Sequence, residues 1–234
     1  MKAGDLITVI REDYTEDNDS AKYLWSNESL LRKLNEAQRQ VCTRGNYLFD
    51  DSTPDYTQIT LIEGVRSYLI DPKVTVIENV ILNNLPLIKK TKEELDRDVS
   101  TWRTDTKIDG NTVYYMISGR NLILSRAPDA DDAGTVVYMD VYRLPDEDIK
   151  TESQEFEIPE EYHRDLIWWV LYECYGKRDI DSFDNDKATE YLVMFNTIFG
   201  EPVSAKVRQH QFESPRSLVI RPITNTRVAE DTDW

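Results

Sequence analysis

Residues 158–176 read IPEEYHRDLIWWVLYECYG, an unusually apolar stretch with two adjacent tryptophans, in a chain of 234 residues whose formal net charge is −16. Pro159, with Glu160 and Glu161 behind it, is a helix start, and Gly176 is a helix stop. Tyr162, Leu166, Trp169, Val170 and Cys174 share one face, while Trp168, Leu171 and Tyr175 lie on another, so the helix is apolar around more than half its circumference. Such a helix needs neighbours on two sides. Adjacent helical residues point about 100° apart, so Trp168 and Trp169 do not make one flat platform for a sugar or a base. Packing prevails: either both rings lie in one core, or Trp169 lies inside and Trp168 meets another subunit. Trp168 is therefore a candidate partner-binding residue.

The neighbours are legible on either side. A helix follows over about 184–199, with Ala188, Tyr191, Leu192, Phe195, Ile198 and Phe199 as its inner face, Ser182 or Asp184 as its cap, and Gly200 at its end. Upstream, Ser26 caps a helix to about residue 44, with Leu30, Leu31, Leu34, Ala37 and Val41 on one face. Leu6, Val9 and Ile10 mark a short amphipathic helix over 4–14.

Between these helices the pattern changes. ITL and RSYLI, joined by a turn at Glu63-Gly64, read as strands, as do VTVIENVIL, TVYYMI, NLILS and TVVYMDVYRL. Ser118-Gly119-Arg120 is a hairpin signal, and Thr91 with Glu94 is a capping box for a short helix over 92–99. Helices, then strands, then helices indicate an α+β fold. In it the N- and C-terminal helices form one bundle, with an antiparallel β lobe inserted and an extended C-terminal arm. The expected division is 1–50 N-terminal helical part, 51–150 β lobe, 151–200 C-terminal helical part and 201–234 arm.

The arm shows no sustained period. It carries Phe212, Leu218, Val219, Ile220 and Trp234 as apolar anchors and Arg208, Arg216, Arg221 and Arg227 as local positive charge. Ordering a backbone costs about 1–2 kcal/mol per residue, which so few apolar side chains do not offset alone. All nine, with Trp168, are candidate partner-binding residues on an arm expected to order only against a partner.

Composition narrows the function classes. Strong acidity argues against nucleic-acid affinity, which depends on Lys and Arg neutralising phosphate. The charged N-terminus lacks a signal peptide's apolar run and no stretch has the length of a membrane span, so folding in a cytoplasm is expected. Cys42 and Cys174 are expected as buried free thiols. His163 and His210 are the two histidines, and neither has His or Cys at helical spacing. DADDAG (129–134) and DIDSFDND (179–186) lack the calcium-loop order. No phosphate loop, dinucleotide glycine pattern or G-x-S-x-G occurs. No catalytic, cofactor or metal residue is assigned.

The ordered set KAGDLITVIREDY, YLWSNESLLRKLNEAQRQVC, ITLIEGVRSYLID, LPLIKKTKEELDR, WRTD, LILSRAPDADDAGTVVYMDVYRLP, EIPEEYHRDLIWWVLYECYGKRDID and KATEYLVMFNTIFG resembles the head-to-tail adaptor (connector) proteins of tailed bacteriophages. The likeness covers about residues 2–205. It implies a non-catalytic virion protein, assembled in the host cytoplasm, in a homo-oligomeric ring, usually a dodecamer, beneath the portal protein. Its partners would be portal, copies of itself, tail or nozzle proteins below, and genomic DNA that passes without specific binding, with no membrane. Other readings are a stopper, tail-tube or completion protein, or an unrelated enzyme or glycan-binding domain.

Overall fold

The computed structural model describes residues 1–15, 17, 23–99, 101–104, 114–178 and 183–214. The chain opens with α1 (Ala3–Val9), which runs on as a π-helical turn (Ile10–Thr15), then α2 (Asn27–Arg44). The middle holds β1 (Phe49–Asp50), α3 (Pro54–Thr57), β2 (Gln58–Thr60), β3 (Ser67–Leu69), β4 (Val74–Leu82), β5 (Leu85–Pro86), β6 (Ile88–Lys89), α4 (Lys92–Asp98), β7 (Tyr114–Ser118), β8 (Asn121–Leu124) and β9 (Val136–Arg143). It closes with a 3-10 turn (Glu160–Tyr162), α5 (Leu166–Gly176), α6 (Asn185–Phe199) and α7 (Ala205–Glu213). The fold is α+β, as the order of patterns indicates.

Each helix start has a chemical cause. Ser26 accepts a hydrogen bond from Ser29 N at 3.2 Å, and Thr91 and Glu94 form the reciprocal capping box. Asp184 Oδ1 accepts from the backbone of Asp186 and Lys187 at 3.1 and 3.0 Å. The helix expected from Pro159 differs: its first turn is 3-10, and regular α-helix starts only at Leu166. No side chain caps Asp165, so the preceding tight turns supply the entry instead.

The strands form two sheets over a shared core. In one, β9 lies between β4 and the pair β1 and β2; β4 also pairs with β5. In the other the order is β3-β8-β7-β6. All pairings are antiparallel except β6 with β7, which is parallel, so the lobe is not wholly antiparallel as expected. The strands on either side of Glu63-Gly64 do not pair with each other: β2 joins β9 and β3 joins β8. The chain passes from sheet to sheet there, and again between β5 and β6. Asn83 and Asn84, with φ of 50° and 62°, make the two-residue turn that reverses β4 into β5. Gly119, at φ 61°, does the same from β7 into β8.

A first core joins α1, α2, α5 and α6 through Leu6, Ile10, Leu30, Leu34, Leu166, Val170 and Phe195. The C-terminal helices thus pack on the Ser26 helix as read from the sequence. A second core fills the space between the sheets with Val74, Val80, Leu122, Leu124, Val137 and Val141. Each side chain so buried contributes about 1.5–3 kcal/mol. Ile198, expected on the inner face of α6, is instead 41% exposed.

Two polar residues sit in the α2 face among the leucines, and both grip the strand-free connector from β9 to α5. Asn35 donates to Ile149 O at 2.9 Å and accepts from Ile149 N at 2.8 Å; Gln38 Oε1 accepts from Glu157 N at 2.9 Å. Asn35→Ala leaves a buried N–H and a buried C=O unpaired, at about 1–3 kcal/mol each. A urea titration should therefore show a loss of about 2–5 kcal/mol. Arg32→Ala, which breaks only an exposed i,i+4 pair with Glu28, should cost under about 0.5 kcal/mol. Equal midpoints for the two variants would contradict this assignment.

Candidate functional site

The paired tryptophans sit in the seams of the helical bundle. Trp168 stacks on Tyr191, centroids 6.0 Å apart at 21°, and meets Tyr14 edge-on at 5.5 Å. Trp169 packs against Phe195 and Tyr172, both at 5.2 Å, with the Arg44 guanidinium 5.4 Å from its ring. Both rings are half-buried, so Trp169 is not the fully enclosed core residue expected, and Trp168 keeps only a rim of exposed surface. Each substitution to Ala should destabilise the isolated subunit by about 2–3 kcal/mol, less than a fully buried ring because part of each already meets water.

The expected arm is corrected over its first third. Ser204 Oγ accepts from Val207 N at 3.4 Å and starts α7, which lies against β7 and β4. Phe212, expected to anchor on a partner, is only 8% exposed and belongs to the chain's own second core. The Arg120 guanidinium lies 5.0 Å from its ring. Lys89 Nζ donates to Phe212 O at 2.7 Å, and Glu213 Oε1 accepts from Gly119 N at 2.8 Å. One buried side chain leaves no periodic stripe, which is why α7 escaped the sequence pattern. Arg208 is exposed on α7 and has no hydrogen-bond or ion-pair partner among the described residues. Arg216, Leu218, Val219, Ile220, Arg221, Arg227 and Trp234 lie outside the described residues.

Groups with chemical potential are mostly spent on structure. His163 is 3% exposed; its Nε2–H donates to Ile158 O at 2.7 Å, and its ring meets Phe156 edge-on at 5.2 Å. His210 is exposed on α7. Asp129 caps its own turn by accepting from Asp131 N and Asp132 N. No group of three His, Cys, Asp or Glu able to hold a metal occurs among the described residues. No helix there is long and apolar enough to cross a membrane.

The sequence missed one charged cluster. Arg143 on β9 donates through Nε to Asp50 at 2.7 Å and through Nη1 to Glu157 at 2.7 Å. Asp50 also accepts from Ser52 N and Thr53 N, and these bonds outweigh burial and hold its carboxyl well below the usual range. The cluster ties β1 and β9 to the connector that Gln38 holds. Only the placement of β1 beside β9 brings Asp50 and Arg143 together, so spacing along the chain carried no signal.

Cys42 and Cys174 are free and buried, and burial pushes each thiol from 9.0 up to about 12. A raised folded-state value means that the associated stability is complete below pH 9 and is lost as pH rises above it. Lys89, lowered by burial from 10.5 to about 8, acts in the opposite sense between those values. Two thiols outweigh one amine, so stability should fall above about pH 9, by roughly 1 kcal/mol per pH unit near pH 10. Buried Tyr115, raised from 10.0 to about 12, acts in the same sense as the thiols above pH 10. Melts of wild type and the C42A/C174A variant across pH 7–10.5 check this; the variant should show a shallower fall that sets in about one pH unit later.

No curated protein matches the chain. A family model described as SU10 adaptor protein matches residues 1–219, which takes in both cores, α7 and the start of the segment beyond it. The chain therefore belongs to the SU10 adaptor protein family.

Proposed function

We propose that this protein is a structural head-to-tail adaptor of a tailed bacteriophage. Copies of it form a ring beneath the portal, join capsid to tail, and surround the path of the genome. The observation that carries the adaptor reading is the family membership over residues 1–219.

The structure supports a ring through its edges. A closed ring needs two unlike surfaces that meet head to tail, whereas a two-fold dimer needs one surface that meets itself. β3 and β6 are the opposite edges of the four-stranded sheet. Leu69 on β3 is 74% exposed, and Ile88 on β6 is 50% exposed. Ile62, between β2 and β3, and Leu85, on β5, are exposed as well. Open strand edges with apolar side chains are a liability on a monomer unless a partner covers them. The net charge of −16 suits a passage that repels phosphate and lets DNA slide.

The docking arm on this reading starts after Ser214 rather than at residue 201, because α7 is bound to its own β lobe. Leu218, Val219, Ile220 and Trp234 supply its apolar anchors, and Arg216, Arg221 and Arg227 its charge toward an acidic neighbour. Truncation after Gly200 would strip Phe212 from the core and confound binding with stability. Truncation after Ser214 avoids this. The shorter protein should melt like the full chain but lose portal binding and portal-dependent rings in mass photometry. Unchanged affinity and unchanged rings would move the interface to the helical body and the strand edges.

A further inference from the structure

Between the end of α2, the β4 strand, the β7–β8 turn and α7 lies a cleft of about 340 Å³. Seventeen residues line it, and none is Asp or Glu. In a chain where 44 of 234 residues are acidic, that is a local reversal of charge. Three arginines line it instead: Arg44, Arg120 and Arg208.

Among the described residues, none of the three has a carboxylate hydrogen-bonded to its side chain. Arg44 donates to Asn196 Oδ1 at 2.6 Å and to Gly200 O at 2.7 Å. Arg120 donates to Val74 O at 3.0 Å and to Asp71 O. Both guanidinia are half-buried, and each Nε is buried without a partner among the described residues. Burial lowers both of their pKa values, and the nearest acids, Glu201 for Arg44 and Asp71 for Arg120, only partly offset it. Arg208 faces solvent with no partner of its own among the described residues. Arg44 also faces the Phe195 ring at 4.7 Å and Arg120 the Phe212 ring at 5.0 Å, but half-buried cations bonded to neutral oxygens and packed on rings still gain from an incoming anion. Apolar wall comes from Pro72, Val74, Val203 and Phe212.

We infer that this cleft is a binding site for a carboxylate-bearing peptide segment, and that the free subunit fills it with its own residues Glu230–Asp233. A DNA duplex, about 20 Å across, is too wide for a cleft of this volume, so a single peptide strand fits better. The segment A-E-D-T-D-W at 229–234 carries three carboxylates within four residues. Fifteen residues lie between Ser214 and Glu230, a span of up to about 50 Å, and Ser214 follows the helix that walls the cleft. Tethering to the same molecule raises the segment's effective concentration far above that of any free competitor. This inference stands or falls independently of the ring.

The test is zero-length carbodiimide coupling of the full-length Arg208→Lys variant, mixed in equal parts light and nitrogen-15-labelled, read by mass spectrometry. Links from position 208 to Glu230, Asp231 or Asp233 within one chain are expected. The Lys33–Glu173 pair, 3.2 Å apart, serves as the internal control. Absence of any such link while the control forms would overturn the proposal. Links found only between light and heavy chains would overturn self-closure. As a second measurement, a fluorescein-labelled peptide of residues 228–234 is titrated into full chain carrying E230Q, D231N and D233N. It should bind saturably, at least tenfold more weakly when Arg208→Glu is added or when the peptide's own acids become amides. Displacement by a 20-base-pair duplex with the same dependence on Arg208 would make this a nucleic-acid site and refute the peptide assignment.

Discussion

The architecture depends on a pair of hydrogen bonds in which the Asn35 side-chain amide mimics a peptide group. It donates to and accepts from Ile149 in the middle of a connector with no helix or strand of its own. The connector must bring the chain from the end of β9 back to the helical bundle, and beyond an isolated bridge of Glu155 to Lys2 and the bonds that Gln154 O and Glu152 O accept from Ala3 N and Gly4 N, its backbone groups have no ladder to join. Buried backbone polar groups left unpaired cost more than most single contacts gain, so something in the bundle has to accept them. α2 does so with Asn35 and Gln38, set among Leu30, Leu31, Leu34 and Val41. Once Ile149 and Glu157 are fixed there, α5 starts at a defined place and α6 closes over it. On the other side, Glu157 also receives Arg143, which in turn holds Asp50. A short polar chain thus runs from the bundle into the first sheet and sets how the two cores sit together.

These contacts explain what was legible beforehand. A helix with a cap and one clean apolar stripe, such as α2 behind Ser26, is readable because local chemistry and burial agree, and α4, with Leu95 as its one buried residue, is readable from its capping box at Thr91 and Glu94. The long strands β4 and β9 were readable for the same reason. What failed was decided by tertiary partners. The segments around Glu63-Gly64 looked like neighbours because they are close in sequence, but each finds its hydrogen bonds in a different sheet. β6 pairs in parallel because the chain steps from one sheet to the other at Leu87, a move without a composition signal. Ile198 fits the inner face of α6 by spacing, yet the core lies on the side of α6 that carries Phe195 and Phe199.

The candidate site was less legible than the fold. α7 was read as part of an irregular arm because a helix held by one phenylalanine and a cap shows no period. Phe212 was assigned outward for that reason, though its ring closes the β-lobe core beneath Arg120. Trp168 and Trp169 were read correctly as pointing apart. Their near-equal exposure was not readable, because it depends on Tyr14 and Tyr191 on one side and Phe195 on the other. The remaining named tail residues lie outside the described residues.

The charge balance links these features to assembly. Subunits that each carry −16 repel when placed side by side, and the repulsion is softened but not abolished at physiological salt. A stable array therefore needs local attractions that act at contact rather than at long range. Exposed apolar edges at Leu69 and Ile88 meet that need, since burying apolar surface is insensitive to net charge. Positive charge is present at Arg208 on α7 and recurs along the sequence at Arg216, Arg221 and Arg227. In the proposed ring, acidic bodies with neutral apolar edges gain most from an edge-to-edge approach, because face-to-face stacking of two acidic surfaces buries no apolar edge. The same charge that keeps free subunits apart would then favour the edge-to-edge geometry of that ring.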